Sequence, residues 1–163
     1  MMKVWLAPVF FAVMAFLACG GALGSPDEVS GTASVTDGDS LRIGNQRIRI
    51  HGIDAPELRQ PCRSGQADAW HCGRASAQAL EELVADRSVR CVKRDVDRYG
   101  RLVAQCFVGA VDLGREQVRQ GWAVAYRRYS RDYAAEEDGA RRTARGIWAG
   151  EFLMPWDWRR QNR

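Results

Sequence analysis

Lysine is almost absent from this sequence of 163 residues: it occurs only at positions 3 and 93, so arginine carries nearly every other positive charge. Two explanations of this bias stand side by side. It follows from genomic base composition, or it serves recognition of phosphate, because the planar guanidinium matches phosphate oxygens with two parallel hydrogen bonds. The formal net charge of +4 permits a polyanionic partner without requiring one. The chain also lacks internal repeats and low-complexity tracts, and its length suits a single globular domain.

The sequence contains no C-x-x-C pair, the spacing that marks most structural zinc sites. A zinc site would have to combine Cys62, His71 and Cys72, and this arrangement stays open as an alternative. The cysteines themselves favour disulfides. Of the five, Cys19 lies in the apolar leader, and the other four allow three pairings.

Local spacing favours one of these pairings. Cys91 and Cys106 flank a polar turn between two predicted strands, and Cys62 and Cys72 close a short polar segment. We therefore expect disulfides Cys62–Cys72 and Cys91–Cys106. Closing a loop of about 15 residues contributes ~3 kcal/mol in the chain-entropy model.

The one long apolar run lies at the N-terminus. Residues 1–24 have the layout of a secretory signal peptide, with a lysine, an apolar stretch and a candidate Ala-x-Gly cleavage site before Ser25. Two alternatives remain: an uncleaved anchor, since ~20 apolar residues span a bilayer, or a lipoprotein whose lipid is carried by Cys19. All three predict export to the periplasm or the medium, with residues 25–163 as the folded domain.

The rest of the chain alternates between strand and helix patterns. Residues 35–57, VTDGDSLRIGNQRIRIHGIDAPE, read as a hairpin with core candidates Leu41, Ile43, Ile48, Ile50 and Ile53. Further strands are predicted at 88–92 and 101–108 and an extended segment at 122–130; helices are predicted at 74–87, 111–121 and 133–145. This order predicts an α+β fold, a small antiparallel barrel with helices packed against it. The tryptophans of the tail, Trp148, Trp156 and Trp158, are expected to pack against the core or its rim.

Charged residues crowd the hairpin. Hairpin geometry places Asp39 near Asp54 and Glu57, with Arg49 in the strand between them. Oxygen ligands without cysteine or histidine suit a hard cation such as Ca²⁺ or Mg²⁺. Hydrolysis of a phosphodiester needs a metal, a carboxylate base and positive charges on the phosphate. Arg49 would supply one such charge, and Arg101 would be the second arginine. Each residue taken singly is also an ordinary turn residue.

Four sequence blocks carry a resemblance to a known family. VTDGDSLRI, RIRIHGIDAPE, DRYGRLVA and VRQGWAVAY resemble, in order and spacing, the motifs of the staphylococcal nuclease (thermonuclease) family, over about residues 30–150. The resemblance implies a five-stranded OB-type β-barrel with about three helices. It also implies a Ca²⁺-dependent endonuclease that cleaves DNA and RNA and leaves 3′-phosphate ends.

The resemblance also implies a role for individual residues. Asp39, Asp54 and the backbone carbonyl of Ala55, which replaces a threonine of the best-known member, would bind the metal. The catalytic set would be Glu57 as general base with Arg49 and Arg101 on the phosphate; Asp37 would lie behind the metal ligands, and Tyr99 and Tyr126 would line the nucleotide site. The second tyrosine expected two residues after Tyr126 is replaced by Arg128.

Ca²⁺ is expected rather than Mg²⁺, bound weakly because two carboxylates and a carbonyl leave most of the shell to water and substrate. DNA and RNA are the expected partners, with single strands preferred, and a monomer without an obligate protein partner is the default. The segment 62–72 is an insertion relative to the best-known member, and it would either shape access to the cleft or brace it. The alternative function is an inactive OB-type module that binds nucleic acid by stacking, at ~1–3 kcal/mol per base.

Overall fold

The structure, a computed structural model, describes residues 27–64 and 69–162. The predicted leader, with Cys19, lies outside these residues. Within the described part of the chain, no helix is both long and apolar enough to cross a membrane.

Within the described residues, the fold comprises eleven strands and four α-helices. The strands are β1 (Glu28–Asp37), β2 (Ser40–Ile43), β3 (Gln46–Ile50), β4 (Ile53–Asp54), β5 (Cys62–Ser64), β6 (Ala69–Trp70), β7 (Ser88–Val96), β8 (Leu102–Val108), β9 (Val111–Asp112), β10 (Val124–Ala125) and β11 (Gly150–Glu151). The helices are α1 (Cys72–Val84), α2 (Leu113–Arg119), α3 (Ala134–Arg142) and α4 (Pro155–Gln161), with a 3₁₀ turn at Gly146–Ala149.

Five strands close into a barrel in the order β3-β2-β1-β7-β8, and β3 pairs with β8 to complete the ring. The long strand β1 makes this possible because its first half pairs with β7 and its second half with β2. The predicted five-stranded α+β barrel is confirmed. The antiparallel prediction is wrong for the closing pair, which is parallel. An odd number of strands in a ring cannot alternate in direction at every contact, so one pair must run the same way.

The barrel interior is filled by the predicted apolar residues of the hairpin. Leu41, Ile43, Ile48, Ile50 and Ile53 are all buried, none more than 7% exposed. Strand β8 alternates buried and half-buried positions along its length, as a strand with one face in the core must. This core holds the hairpin ends that carry the charged residues.

Both predicted disulfides are present in the structure. Cys91 and Cys106 face each other across β7 and β8, and the Cys62–Cys72 bridge connects β5 to the start of α1. Because their sulfurs are bonded to each other, Cys62 and Cys72 are not zinc ligands, which removes the zinc alternative. Disulfides are typical of proteins in a non-cytoplasmic compartment.

Replacing both Cys91 and Cys106 with alanine is expected to lower the free energy of unfolding by about 3 kcal/mol. The bridge closes a loop in the unfolded chain and lowers its conformational entropy. In the folded protein both cysteines are buried in the core. Urea unfolding of the variant and of the oxidised parent, analysed with the same dependence of unfolding free energy on urea concentration, measures the difference. Equal midpoints would show that the paired strands alone hold this part of the barrel.

The predicted helices are present with shifted ends. Helix α2 begins at Leu113 rather than at 111 because Asp112 caps it, accepting a hydrogen bond from the backbone N–H of Arg115 at 3.1 Å. It ends at Arg119, two residues before Gly121, where φ is +80° and an added Cβ would lie 2.2 Å from the carbonyl oxygen of Arg145. Only glycine allows that approach.

The segment predicted as extended at 122–130 is strand only at Val124–Ala125. The backbone N–H groups of Tyr129 and Ser130 both donate to the carbonyl of Tyr126, and this makes a turn instead. Alternation of residue type does not reveal such a turn because it contains no glycine or proline.

A second, smaller core forms where the 62–72 segment meets the end of the chain. Strands β5 and β6 pair with each other, and β11 adds to β5. The buried residues Cys62, Cys72, Val124 and Ile147 are covered by half-buried aromatic and apolar side chains, among them Trp70, Trp148, Phe152, Met154 and Trp156. Trp148 and Trp156 therefore pack as predicted. This core positions α4, the helix that the sequence analysis did not predict.

Candidate active site

The turn between β1 and β2 supplies the first carboxylates. Asp39 is 3% exposed, and its backbone N–H donates to Oδ1 of Asp37 at 3.0 Å. Gly38 lies between them and has no room for a side chain, since a Cβ would be 1.9 Å from the hydroxyl oxygen of Ser76. Its carbonyl accepts a hydrogen bond from Nε2 of Gln117 at 2.8 Å. Helices α1 and α2 thus fix this turn from behind.

Strand β4 supplies the next carboxylate, Asp54, which is completely buried opposite Val124 of β10. The following residue links the two loops, because the backbone N–H of Ala55 donates to Oδ2 of Asp39 at 2.9 Å. The structure therefore brings positions 39 and 54 together, as the hairpin geometry requires.

Arg49 lies between these two carboxylates. Its Nη1 is 3.0 Å from Oδ1 of Asp39, and its Nη2 is 2.7 Å from Oδ1 of Asp54. Burial opposes the charge of this guanidinium, but Asp39 and then Asp54 outweigh it and raise the pKa of Arg49. Arg49 is therefore a permanent positive charge between the two carboxylates.

The cluster concentrates negative charge in a buried place. Burial, and then repulsion by Asp39, raises the pKa of Asp37 to about 7. The same two causes raise the pKa of Asp54 against the opposing arginines. Carboxylates whose ionisation is unfavourable for these reasons are stabilised by a nearby cation.

A residue outside the sequence prediction completes the network. Arg159 of α4 places Nη2 2.7 Å from Oδ2 of Asp54 and Nη1 2.7 Å from Oε1 of Glu57. Sequence reasoning missed it because 105 residues separate it from Asp54. The only local signal was Pro155 followed by a short amphipathic stretch, which is the usual beginning of a helix.

Glu57 is more accessible than Asp39 and Asp54, with 35% of its side chain exposed against 5% and 0%. It follows Pro56 in a tight turn in which the backbone N–H of Gln60 donates to the Glu57 carbonyl at 2.7 Å. The buried side chain of Gln60 accepts from the Glu57 N–H at 3.3 Å and donates to the carbonyl of Leu153 at 2.7 Å. Glu57 is therefore held at the edge of the cluster, where water can reach it.

Arg101 lies on the same outer surface of the barrel as Arg49. In the parallel β3–β8 pair, Arg49 is opposite Val103, and Arg101 precedes it by two residues, so the alternation of the strand turns both side chains outward. The Nε of Arg101 donates to Oδ2 of Asp97 at 2.7 Å. Burial would raise the pKa of Asp97, but hydrogen bonds from Arg101 and Tyr99 outweigh it and lower that pKa. Among the described residues, no hydrogen bond joins Arg101 to the carboxylate cluster.

The two predicted nucleotide-lining tyrosines lie in different surroundings. Tyr99 is 59% exposed and lies beside the guanidinium groups of Arg98 and Arg101. Tyr126 stacks on Trp156 of α4, with ring centroids 5.4 Å apart and planes inclined by 15°. Helix α4 therefore contacts both the carboxylates, through Arg159, and Tyr126, through Trp156.

The oxygen set fits a weakly held hard cation. Each carboxylate oxygen offers two lone-pair sites. Oδ1 of Asp39 and Oδ1 of Asp54 accept two hydrogen bonds each, whereas Oδ2 of each accepts one. One lone-pair site on Oδ2 of each carboxylate therefore has no hydrogen bond and would bind a metal. The described residues contain no group of three or more Cys, His, Asp or Glu side chains placed to hold one, so water and substrate would fill the remaining positions.

Comparison with known proteins assigns the chain to a family. A family model described as staphylococcal nuclease homologue matches residues 47–150. The chain belongs to this family. The match includes Arg49, Asp54, Glu57 and Arg101, and it leaves Asp39 and the helix α4 outside its bounds.

Individual relatives of the chain bear different names. The chain is 35% identical over 143 residues to "Succinoglycan biosynthesis protein ExoI" of Rhizobium meliloti (strain 1021), covering 86% of this chain and 75% of that protein. It is 30% identical over 147 residues to "Micrococcal nuclease" of Shigella flexneri, covering 79% of each. It is 33% identical to "Probable staphylococcal-like nuclease CAN3" of Oryza sativa subsp. japonica, covering 86% of this chain and 36% of that longer protein. Membership of the family supports a nuclease activity.

Proposed function

We propose that this protein is an exported, Ca²⁺-dependent endonuclease that hydrolyses phosphodiester bonds of DNA and RNA and leaves 3′-phosphate ends. The observation that carries the proposal is one network: Arg49 joins the buried pair Asp39 and Asp54, and Glu57 lies accessible at its edge. The nuclease names of the rice and Shigella relatives support the same chemistry.

Each residue of the site has a proposed role. Asp39 and Asp54, with the backbone carbonyl of Ala55, would hold the cation, and Asp37 would support the turn behind them. A bound Ca²⁺ would neutralise phosphate charge and polarise the phosphorus–oxygen bonds. Arg49 and Arg101 would hold the phosphate oxygens and stabilise the additional negative charge of the transition state.

Glu57 would act as the general base. It accepts one proton from water while the bond between the water oxygen and phosphorus forms. The bond between phosphorus and the 5′ oxygen breaks, and that oxygen leaves with a proton from solvent. The products are a 5′-hydroxyl and a 3′-phosphate, and Glu57 returns its proton to solvent.

A pure binding module would not need this arrangement. Buried carboxylates repel a phosphate backbone unless a cation lies between them. An inactive OB-type module therefore explains the aromatic side chains Tyr99 and Tyr126 but not Asp39, Asp54 and Glu57. The exposed ring of Tyr99 suits an unpaired base, and for that reason we propose that single strands are the preferred substrate.

Export is part of the proposal because the leader and the two disulfides point the same way. Millimolar calcium outside the cell would saturate a weak site. The active form would be a monomer, which light scattering of the purified protein checks. Detection of the activity in periplasm or medium, and of the cleavage after residue 24, checks export.

Activity is expected to require calcium at roughly 10⁻⁴–10⁻³ M, the range typical of extracellular calcium sites. The purified, oxidised protein is incubated with a labelled single-stranded oligonucleotide in Ca²⁺, in Mg²⁺ and in chelator. Cutting in Ca²⁺ with 3′-phosphate ends, and none in chelator, is the expected result. Chelator-resistant binding without cutting would favour the inactive module, and cutting in Mg²⁺ alone would contradict the metal assignment.

A further inference from the structure

Helix α4 brings a third arginine to the proposed active site. Arg159 bonds to both oxygens of Asp54, at 3.1 Å for Nη1 to Oδ1 and 2.7 Å for Nη2 to Oδ2, and to Oε1 of Glu57 at 2.7 Å. It thus touches one proposed metal ligand and the proposed base. Its side chain stays 29% exposed, so a ligand can approach it.

The helix does not need this arginine to be held in place. Pro155 is buried at the start of α4, and Trp156 stacks on Tyr126. Just before the helix, Gln60 donates to the carbonyl of Leu153 at 2.7 Å. These contacts anchor α4 through apolar packing and a neutral hydrogen bond, so they leave the burial of a guanidinium unexplained.

The preceding segment is anchored as well. Glu151 of β11 lies opposite Arg63 of β5, inside the segment that the Cys62–Cys72 bridge closes. The insertion therefore braces the C-terminal segment and through it the position of Arg159. Of the two roles left open by the sequence, these pairings favour bracing.

Two arginines share one oxygen in the site. Arg49 and Arg159 both donate to Oδ1 of Asp54, at 2.7 and 3.1 Å, and each opposes the charge of the other. Together the two guanidinium groups face three carboxylates, Asp39, Asp54 and Glu57, and a bound Ca²⁺ would take over part of that negative charge and free the arginines for another anion. A second anion that enters between the two guanidinium groups would be held from both sides, and a phosphodiester matches the arginine fork.

The position of Glu57 indicates how close Arg159 would be to the phosphodiester. A general base must lie within hydrogen-bond reach of the water that attacks phosphorus. A guanidinium nitrogen 2.7 Å from Oε1 of Glu57 would therefore lie beside that water and within reach of the non-bridging phosphate oxygens. Arg101, in contrast, is held by Asp97 and contacts neither carboxylate.

We propose that Arg159 is a substrate-contacting residue of the nuclease, a third arginine that leaves its carboxylate partners to bind the scissile phosphodiester opposite Arg49. The inference rests on the proposed nuclease function. It assigns α4, which lies outside the matched part of the family model, to the active site. Arg159 changes its hydrogen-bond partners and exchanges no atoms with the substrate.

The test compares Arg159→Gln, Arg159→Lys and Arg160→Gln in the full-length oxidised protein. Arg160 is the matched control, since it neighbours Arg159 on α4, is 73% exposed and, among the residues that the structure describes, pairs only with Asp157. Initial rates on a single-stranded oligonucleotide give kcat and KM. Terbium luminescence titrations give metal affinity without turnover, and thermal unfolding shows whether each variant folds.

Arg159→Gln is expected to lower kcat/KM by about 10²–10³-fold, the usual effect of losing one donor to developing charge. Its terbium affinity should equal or exceed that of the parent, because a cation beside Asp54 has been removed. Arg159→Lys, which keeps the stem and the charge, should recover part of the rate. Arg160→Gln should stay within twofold of the parent.

Three results would overturn the inference. The first is a folded Arg159→Gln with the parent's kcat/KM. The second is a loss that added metal fully restores, which would assign Arg159 to the metal site alone. The third is a loss of rate that follows only the unfolded fraction of both Arg159 variants, which would make it a structural contact. A parent protein that does not cut at all would instead refute the proposed function.

Discussion

Replacing Glu57 with glutamine is expected to lower the cleavage rate by a factor of ~10²–10⁴ while folding and nucleic-acid binding stay unchanged. Glutamine keeps the shape of the side chain and an oxygen that can still accept the hydrogen bond from Arg159. It cannot take a proton from water. Rates under saturating Ca²⁺, together with gel-shift binding in chelator, separate the lost chemistry from lost affinity.

The control for this variant is Glu81→Gln, an exposed glutamate on α1 outside the carboxylate cluster. It removes the same charge from the protein and should cut at the parent rate. If Glu57→Gln also cut at the parent rate, Glu57 would not be the base, and the accessible edge of the cluster would have another role.

Replacing Arg101 with lysine is expected to lower kcat by about 10²–10³-fold, although the positive charge is kept. Lysine has neither the two-pronged fork that holds a phosphate nor an Nε–H group for the bond to Asp97. Without that bond, the charge also loses its fixed position beside Tyr99. Single-turnover rates with excess enzyme measure this loss without interference from product release.

Arg98→Lys is the matched control, since Arg98 lies in the same turn and over the same Tyr99 ring. No predicted role falls on it, and it should remain within twofold of the parent. Equal rates for Arg101→Lys and Arg98→Lys would show that charge in this turn matters and that the bidentate geometry does not.

These two predictions come from residues that the sequence alone identified. The hairpin placed Asp39, Arg49, Asp54 and Glu57 within a few residues of two strand ends, so local geometry was enough to bring them together. The role of Arg101 is implied by the resemblance to the family, and the pairing of β8 with β3 then places it on the same face of the barrel as Arg49. The sequence pattern of the hairpin was sufficient to predict that these side chains lie together, because residues separated by a short length of chain have few alternative arrangements.

The disulfides and the barrel core could also be predicted from residues that are close in the sequence. Cys91 and Cys106 flank one turn, and Ile48 and Ile50 alternate on one strand. Periodicity reports which face of a strand is buried. It does not report the direction of the strand that will lie beside it, and for this reason the parallel closure of β3 on β8 was not predicted.

What the sequence determined by itself is therefore the family, the barrel strands, the two disulfides and the hairpin carboxylates. Only the tertiary structure decided that Arg159 joins them, that Asp97 holds Arg101 and that Trp156 covers Tyr126. The physical reason is the length of chain between partners. Contacts across a turn follow from backbone geometry, whereas a contact across 105 residues depends on how the second core packs the chain end against the barrel.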